Sequence, residues 1–182
     1  MPPCVAFARE PLTDALWDEA LPLLVSHWQE VGHDEPLRPS LTRYGQLEAH
    51  GVLRVFTARV LSPVALAMLH DRSVVDLLVG YAMFTVIPSL NTGLLEAQQA
   101  AIYVRPEYRG AHGSAFIAYC EQELFSEGVE LVYQTTTDAK DFGPLLERKG
   151  YRSAGHVWVK CKVHAARVET DMEALERLGC FV

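Results

Sequence analysis

The sequence predicts an α/β (α+β) chain, a sheet flanked by helices, and three observations point there. Short apolar runs of strand length recur at residues 5–9, 52–59, 77–87, 97–104 and 130–137. Stretches with apolar residues at helical spacing fall between and after them. The fourth run also passes through a glycine-bearing turn straight into a helical pattern, IYVRPEYRGAHGSAFIAYCEQELFSE.

Taken in order, residues 5–9 alternate briefly and read as a first strand. Thr13 is placed to cap a helix over 14–31, with Leu16, Leu23, Leu24 and Trp28 on its apolar face. Asp14, Asp18 and Glu19 lie toward its N-terminal end, where the helix dipole favours negative charge. Pro22 lacks an amide hydrogen and is expected to kink this helix or split it. Residues 33–39 form a loop with two prolines, and Ser40 caps a second short helix stopped by Gly51. Leu53, Val55 and Thr57 mark one side of the next strand, and residues 60–75 read as a hairpin arm or an insertion. Gly80 inside the run 77–87 predicts a bulge or a close backbone approach. After the turn-rich loop 88–93 comes the strand 97–104, then a helix over about 112–127 ending at Gly128. Phe116, Ile117, Cys120 and Leu124 share the apolar face of that helix. A β-rich run over 130–137 precedes a helix over 140–149, closed by Gly150. Residues 151–163 supply one or two last strands, with Val157, Val159 and Cys161 alternating. Val168, Met172, Leu175 and Leu178 recur at helical spacing, which predicts an additional C-terminal helix over about 165–178. Trp17, Trp28, Met83, Phe84 and Phe116 are expected in the core. Neither repeats nor a low-complexity linker interrupts the chain, so residues 1–182 are expected to form one domain.

Composition narrows the function classes. An apolar content of 49% with 21% charged residues is that of an ordinary globular protein. The net charge of -7 argues against nonspecific nucleic-acid binding, which needs a basic face, and is compatible with a cationic amine substrate. The most apolar segment has strand length and is too short to cross a bilayer. Cys4, Cys120, Cys161 and Cys180 show neither C-x-x-C nor zinc-like spacing, so reduced thiols, a cytoplasmic location and no metal site are expected.

The strand–turn–helix carries the chemistry. The first amides of a helix have no partner inside it and can bind an anion, most often a phosphate. Gly110 and Gly113 let the backbone bend and approach closely. Neither G-x-G-x-x-G nor G-x-x-x-x-G-K-[ST] occurs here. What is present is V-x-P-E-Y-R-G over 104–110, which resembles motif A of the GNAT acetyltransferase superfamily, [QR]-x-x-G-x-[GA] after a strand. Arg109 takes the first place of that motif, while His112 and Ser114 stand where glycine and a small residue are usual. The resemblance covers about residues 4–162 and implies a mixed, mostly antiparallel central sheet flanked by helices. DFGPLLERKGY and PEYRG are also similar to segments of small phage and prophage members.

The resemblance implies acetyl-CoA as cofactor and transfer of acetyl to an amine in a ternary complex, with no covalent intermediate. The pantetheine arm is then expected along the backbone of Ile102, Tyr103 and Val104, and the diphosphate on the amides of Arg109, Gly110, Ala111, His112, Gly113 and Ser114. Family members often carry an acidic base on this strand, in places that hold Gln98 to Ala101 here. Strand side chains alternate, so Glu96, Gln98, Ala100, Ile102 and Val104 are expected on one face, with Glu96 the nearest carboxylate. A solvated strand end is the alternative for Glu96. Leu146 occupies the place of the family's usual tyrosine acid, which leaves Tyr133, Tyr119 or a water to protonate the thiolate. The family's asparagine place falls near Asp138, and the acceptor wall brings His33, Asp34 and Glu35, with His27 beside them. A protein or small-molecule amine is the implied acceptor, and a homodimer sharing late strands near Trp158 the implied assembly. A fold-retaining CoA-binding module without catalysis is the competing reading.

Overall fold

The computed structural model describes residues 4–32, 36–61, 77–137, 139 and 141–155. The chain divides into two units, Met1–Leu24 with Ser40–Thr135, and Val25–Pro39 with Thr136–Val182.

Among the described residues the first unit is built on five strands in the order β1-β2-β3-β4-β5. These are β1 (Cys4–Arg9), β2 (Leu53–Leu61), β3 (Leu77–Pro88), β4 (Leu95–Val104) and β5 (Leu131–Tyr133). The first four pair antiparallel, and β4 pairs parallel to β5. A parallel neighbour requires a crossover, which is supplied by helix α3 (Ala111–Ser126). The sheet is therefore mixed and mostly antiparallel, as the resemblance implied. Between β1 and β2 lie α1 (Asp14–Val31) and α2 (Leu41–Ala49). Thr13 Oγ1 accepts the amide of Leu16, and Ser40 Oγ accepts that of Arg43, so both helices start on the capping residues the sequence shows. Glu48 of α2 accepts the amide of Leu12 and ties the loop before α1 to α2.

α3 covers one face of the sheet. Its Phe116, Cys120 and Leu124 join Phe56, Ala58, Val79, Ala82, Phe84, Val86 and Ala97 in one buried cluster. Glu127 caps the C-terminal end of α3, and its carboxylate pairs with Arg9 of β1 and, at 2.7 Å, with Arg54 of β2. On the opposite face the first half of α1 meets Val55, Thr57, Tyr81 and Met83 around an apolar cavity of about 20 Å³.

Two interruptions set the sheet's register. Pairing slips at Ala58/Arg59 against β3, beside Gly80. A Cβ at Gly80 would stand 2.9 Å from the carbonyl oxygen of Tyr103, so the glycine permits the close approach read from the sequence. The second slip lies between β3 and β4: Met83 pairs with Ala101 but Phe84 with Gln99, leaving Ala100 as an extra residue in β4.

Pro22 does not split α1, which is helical without a break from Asp14 to Val31. The proline costs one hydrogen bond, and the buried side chains of Leu21, Leu23 and Leu24 around it offset that loss. In the second unit the helix expected over 140–149 is shorter, α4 (Gly143–Arg148). Pro144 sits in its first turn, where the missing amide has no cost, and Asp141 Oδ1 accepts the amide of Gly143 just ahead of it. Gly128 and Gly150 follow their helices with φ of 89° and 91°, as helix-ending glycines do. The expected strands beyond 155, Trp158, the C-terminal helix over 165–178 and the segment 62–76 lie outside the described residues. Among the described residues no helix is long and apolar enough to cross a membrane.

Candidate active site

β4 leaves the sheet through Arg105, whose amide still bonds the carbonyl of Val79 at 2.8 Å. A 3₁₀ turn at Pro106–Tyr108 follows, then Arg109 and Gly110. Gly110 caps α3 with φ 73° and ψ -117°, a conformation that an L side chain rarely adopts. The first bond of the helix runs from the Ser114 amide to the Gly110 carbonyl at 3.0 Å. The amides of Ala111, His112 and Gly113 therefore have no partner within the helix, which is the geometry that receives an anion. A Cβ added at Gly113 meets nothing within 4 Å, so the floor of this turn is open.

The structure trims the expected cradle at both ends. The Arg109 amide bonds the Pro106 carbonyl, and the Ser114 amide is spent inside α3. The backbone donors of the turn are those from Gly110 to Gly113. The Arg109 side chain turns back to the strand: its Nε donates to the Val104 carbonyl at 2.8 Å, and its guanidinium lies 5.5 Å from the centre of the Tyr103 ring. One arginine thus ties the turn to the last residues of β4.

The face assignment of Glu96 is corrected. Because Ala100 is an extra residue, the alternation along β4 reverses there. Ala97, Gln99, Ile102 and Val104 lie toward α3, opposite Val86, Phe84, Ala82 and Gly80. Glu96 and Gln98 share the other face with Ala101 and Tyr103, not with Ile102 and Val104. In register Glu96 stands between Ile87 and Leu131, and Gln98 stands opposite Tyr133. Glu96 and Tyr133 are therefore on one face of adjacent parallel strands. Glu96 is half-buried, and Tyr133 is 39% exposed. Tyr119 lies on the α3 face instead, tilted against Phe7 and edge-on to Phe56, which separates it from Glu96 by the sheet.

Tyr103, expected from the sequence to meet the coenzyme through its backbone, clusters on the Glu96 face with two tyrosines that the sequence did not single out, Tyr81 and Tyr44. Tyr81 and Tyr103 have ring centres 6.3 Å apart, and Tyr44 of α2 packs on Trp17 at 5.6 Å. Burial pushes the Tyr81 hydroxyl well above its ordinary pKa, aided by Tyr44 and Tyr103, and burial raises Tyr44 as well. The Tyr81 and Tyr44 phenols stay protonated and can donate hydrogen bonds. Alternation along β3 places Tyr81 with Met83, but nothing local in the sequence brings Tyr44 to them.

The family model described as the acetyltransferase (GNAT) family matches residues 17–143, about seven-tenths of the chain. The chain belongs to the GNAT acetyltransferase family. Among solved structures it is similar to a ribosomal-protein-alanine N-acetyltransferase from Brucella melitensis biovar Abortus 2308, with a TM-score of 0.65 at 24% identity over 88% of this chain and 99% of that one. A transcriptional regulator from Bacillus halodurans C-125 gives 0.64 at 18% identity, covering 88% and 100%. An aminoglycoside acetyltransferase, meta-AAC0020, from an uncultured soil metagenomic sample and in complex with sisomicin, gives 0.60 at 15% identity, covering 87% and 97%. These likenesses establish a GNAT fold. The comparison with curated proteins returned no match.

Leu146, which the resemblance sets at the family's tyrosine place, is 7% exposed and belongs to the buried set of the second unit. His33, Asp34, Glu35 and Asp138 lie outside the described residues. Two further polar atoms stand out in the first unit. Arg105 Nε and Gln99 Oε1 are both buried with no hydrogen-bond partner among the described residues. Unpaired buried polar atoms are uncommon, and each calls for an explanation.

Proposed function

We propose that this GNAT-family protein is an acetyl-CoA-dependent N-acetyltransferase that acts on a primary amine by direct transfer in a ternary complex. One observation carries the reading: β4 runs through a glycine-capped turn into α3, whose amides at Ala111, His112 and Gly113 are open to an anion. Those amides and Gly110 fit a diphosphate, and Ile102, Tyr103 and Val104 supply the adjoining strand. When bound there, acetyl-CoA supplies an acetyl group activated as a thioester. The protein's own tasks are then few. Arg109 holds the turn against β4, and the tyrosines on the Glu96 face exclude water. Glu96 takes the ammonium proton of the acceptor, directly or through a water, and Tyr133 supplies a proton at the departing sulfur. The proposed roles of His33, Asp34 and Glu35 in binding the acceptor and of Asp138 in binding the coenzyme follow from the resemblance alone.

The similar structures bear names of acceptors as different as ribosomal-protein alanine and aminoglycosides, which supports an amine without choosing between a protein and a small molecule. The likeness of PEYRG and DFGPLLERKGY to phage and prophage members supports a small, cytoplasmic enzyme of that kind.

Calorimetric binding of CoA to the wild type and Gly113→Val tests the reading. The fold has room for the new side chain, and replacing glycine within a helix raises its propensity. Melting of the free protein is expected to hold or rise while CoA affinity falls about tenfold, a loss of roughly 1.4 kcal/mol. Equal affinity in the two proteins, or no CoA binding by the wild type, would overturn it. A second reading, a CoA-binding module without catalysis, is favoured by the buried leucine at position 146. CoA binding without thiol release on any of a panel of amines would select it.

A further inference from the structure

We propose that Gln99 is a coenzyme-positioning side chain, its carboxamide oxygen accepting a hydrogen bond from an amide N–H of the pantetheine arm where β4 and β5 part. The inference rests on the coenzyme reading above and adds a side chain to a stretch where that reading uses only backbone.

The parallel pairing of β4 with β5 ends at Gln98 and Tyr133. Gln99 is the next residue along β4, and Ala100, the extra residue of the bulge, follows it. Beyond the last pair the Gln99 side chain spans the gap: its Nε2 donates to the backbone carbonyl of Thr135 at 3.3 Å. A carbonyl oxygen can only accept, so the nitrogen of the carboxamide must face it, and the orientation of the group is thereby fixed. Turning the amide over would set oxygen against oxygen. The other end, Oε1, is therefore committed to a position where it is buried and unpartnered among the described residues.

A buried acceptor left unpaired costs free energy that any hydrophobic residue of similar size would avoid. The group is thus explained by a donor that arrives from outside the chain. The pairing of β4 with β5 stops at Gln98 and Tyr133, and Gln99 lies on the strand that leads to the Gly110 turn, so a slender extended ligand following β4 would pass it. The pantetheine arm is slender, carries two secondary amides and has N–H groups to offer. Gln99 would hold one of them, fixing how far the arm advances along β4 and so where the thioester stands relative to Glu96.

The test uses wild type and Gln99→Leu, with CoA, adenosine 3′,5′-bisphosphate (which lacks the arm), and CoA analogues in which one arm amide at a time is an ester. Calorimetry gives the affinities. Gln99→Leu is expected to weaken CoA about five- to tenfold, as for the loss of one neutral hydrogen bond, and to leave the bisphosphate unchanged. Wild type is expected to discriminate against one ester analogue by a similar factor, and Gln99→Leu to lose that discrimination. Gln99→Met, which keeps the length of the side chain, should behave as the leucine variant does. Equal weakening of CoA and the bisphosphate would show general damage to the sheet and overturn the inference. So would an ester preference that persists in the variants. If wild type binds the bisphosphate and CoA equally well, Gln99 makes no contact with the arm, whereas binding of neither ligand refutes the coenzyme reading itself.

Discussion

On the α3 side of the sheet, the largest side chains are wholly removed from water. Phe56, Phe84, Phe116, Cys120 and Leu124 are fully buried there, and burial pushes the Cys120 thiol far above its ordinary pKa. The other side buries Leu53, Val55 and Met83, but it also holds Thr57, Glu10, Arg59 and the phenols of Tyr44, Tyr81 and Tyr103. Arg59 Nε pairs with Glu10 at 2.8 Å, and its Nη1 reaches Glu19 at 2.6 Å. The first face needs only to exclude water, and close packing of apolar shapes does that. The second must hold donors and acceptors in fixed directions, which hydrogen bonds do at a smaller net gain each. The same chain therefore keeps its stability mainly on one face and its chemistry mainly on the other.

Phe116→Ala gives the largest effect by which to break that comparison. Truncating a fully buried phenylalanine costs about 3–5 kcal/mol, measured by urea unfolding. Glu96→Gln on the opposite face is expected to change stability by no more than about 0.5 kcal/mol. Its turnover should nevertheless fall by about 10²-fold or more if Glu96 is the base. Similar losses of stability in the two variants would show that the division of labour is wrong.

Gly80→Val sharpens the comparison where the faces meet. The first added carbon would already stand 2.9 Å from the Tyr103 carbonyl, a backbone atom that cannot swing aside. β3 and β4 must part to admit the side chain, at a cost of about 1–3 kcal/mol. Because β4 leads to the Gly110 turn, CoA affinity should fall along with the melting temperature. An unchanged affinity would mean that the turn does not depend on the position of β4.

Much of this architecture was legible because local rules and the fold agree. Thr13 and Ser40 cap their helices, Gly110, Gly128 and Gly150 take positive φ, and the apolar face of α3 is the one its periodicity shows. The features that were not legible depend on partners distant in sequence. The bulge at Ala100 has no signature of its own, since alanine suits either register; it arises only when β4 is laid against β3. One extra residue was enough to move Glu96 to the other face relative to Ile102 and Val104. The continuity of α1 through Pro22 likewise comes from the burial of its neighbours, which outweighs a local breaker. Gln99 offered no sign either, because an orphaned acceptor is visible only once the Thr135 carbonyl has claimed its nitrogen.

The smallest expected effect concerns the polar face itself. Burial alone would raise the Glu10 carboxyl, but hydrogen bonds from Arg59 and Thr57 and the arginine's charge outweigh it and hold it below its ordinary value of 4.5. A carboxyl depressed in the folded state contributes stability that is fully present above the unfolded value and is lost as pH falls through the folded one. Thr57 donates to Glu10 from a fully buried position, so Thr57→Val removes one of the bonds that favour the ionised form. The variant should lose about 1 kcal/mol at pH 7. The gap between it and wild type should then narrow as the pH drops below about 4.5, because the protonated carboxyl gains less from the hydroxyl. Urea unfolding at several pH values between about 3 and 7 measures both quantities. A gap of equal size across that range would mean that Thr57 serves by shape, and that the polar face is packed on the same terms as its opposite.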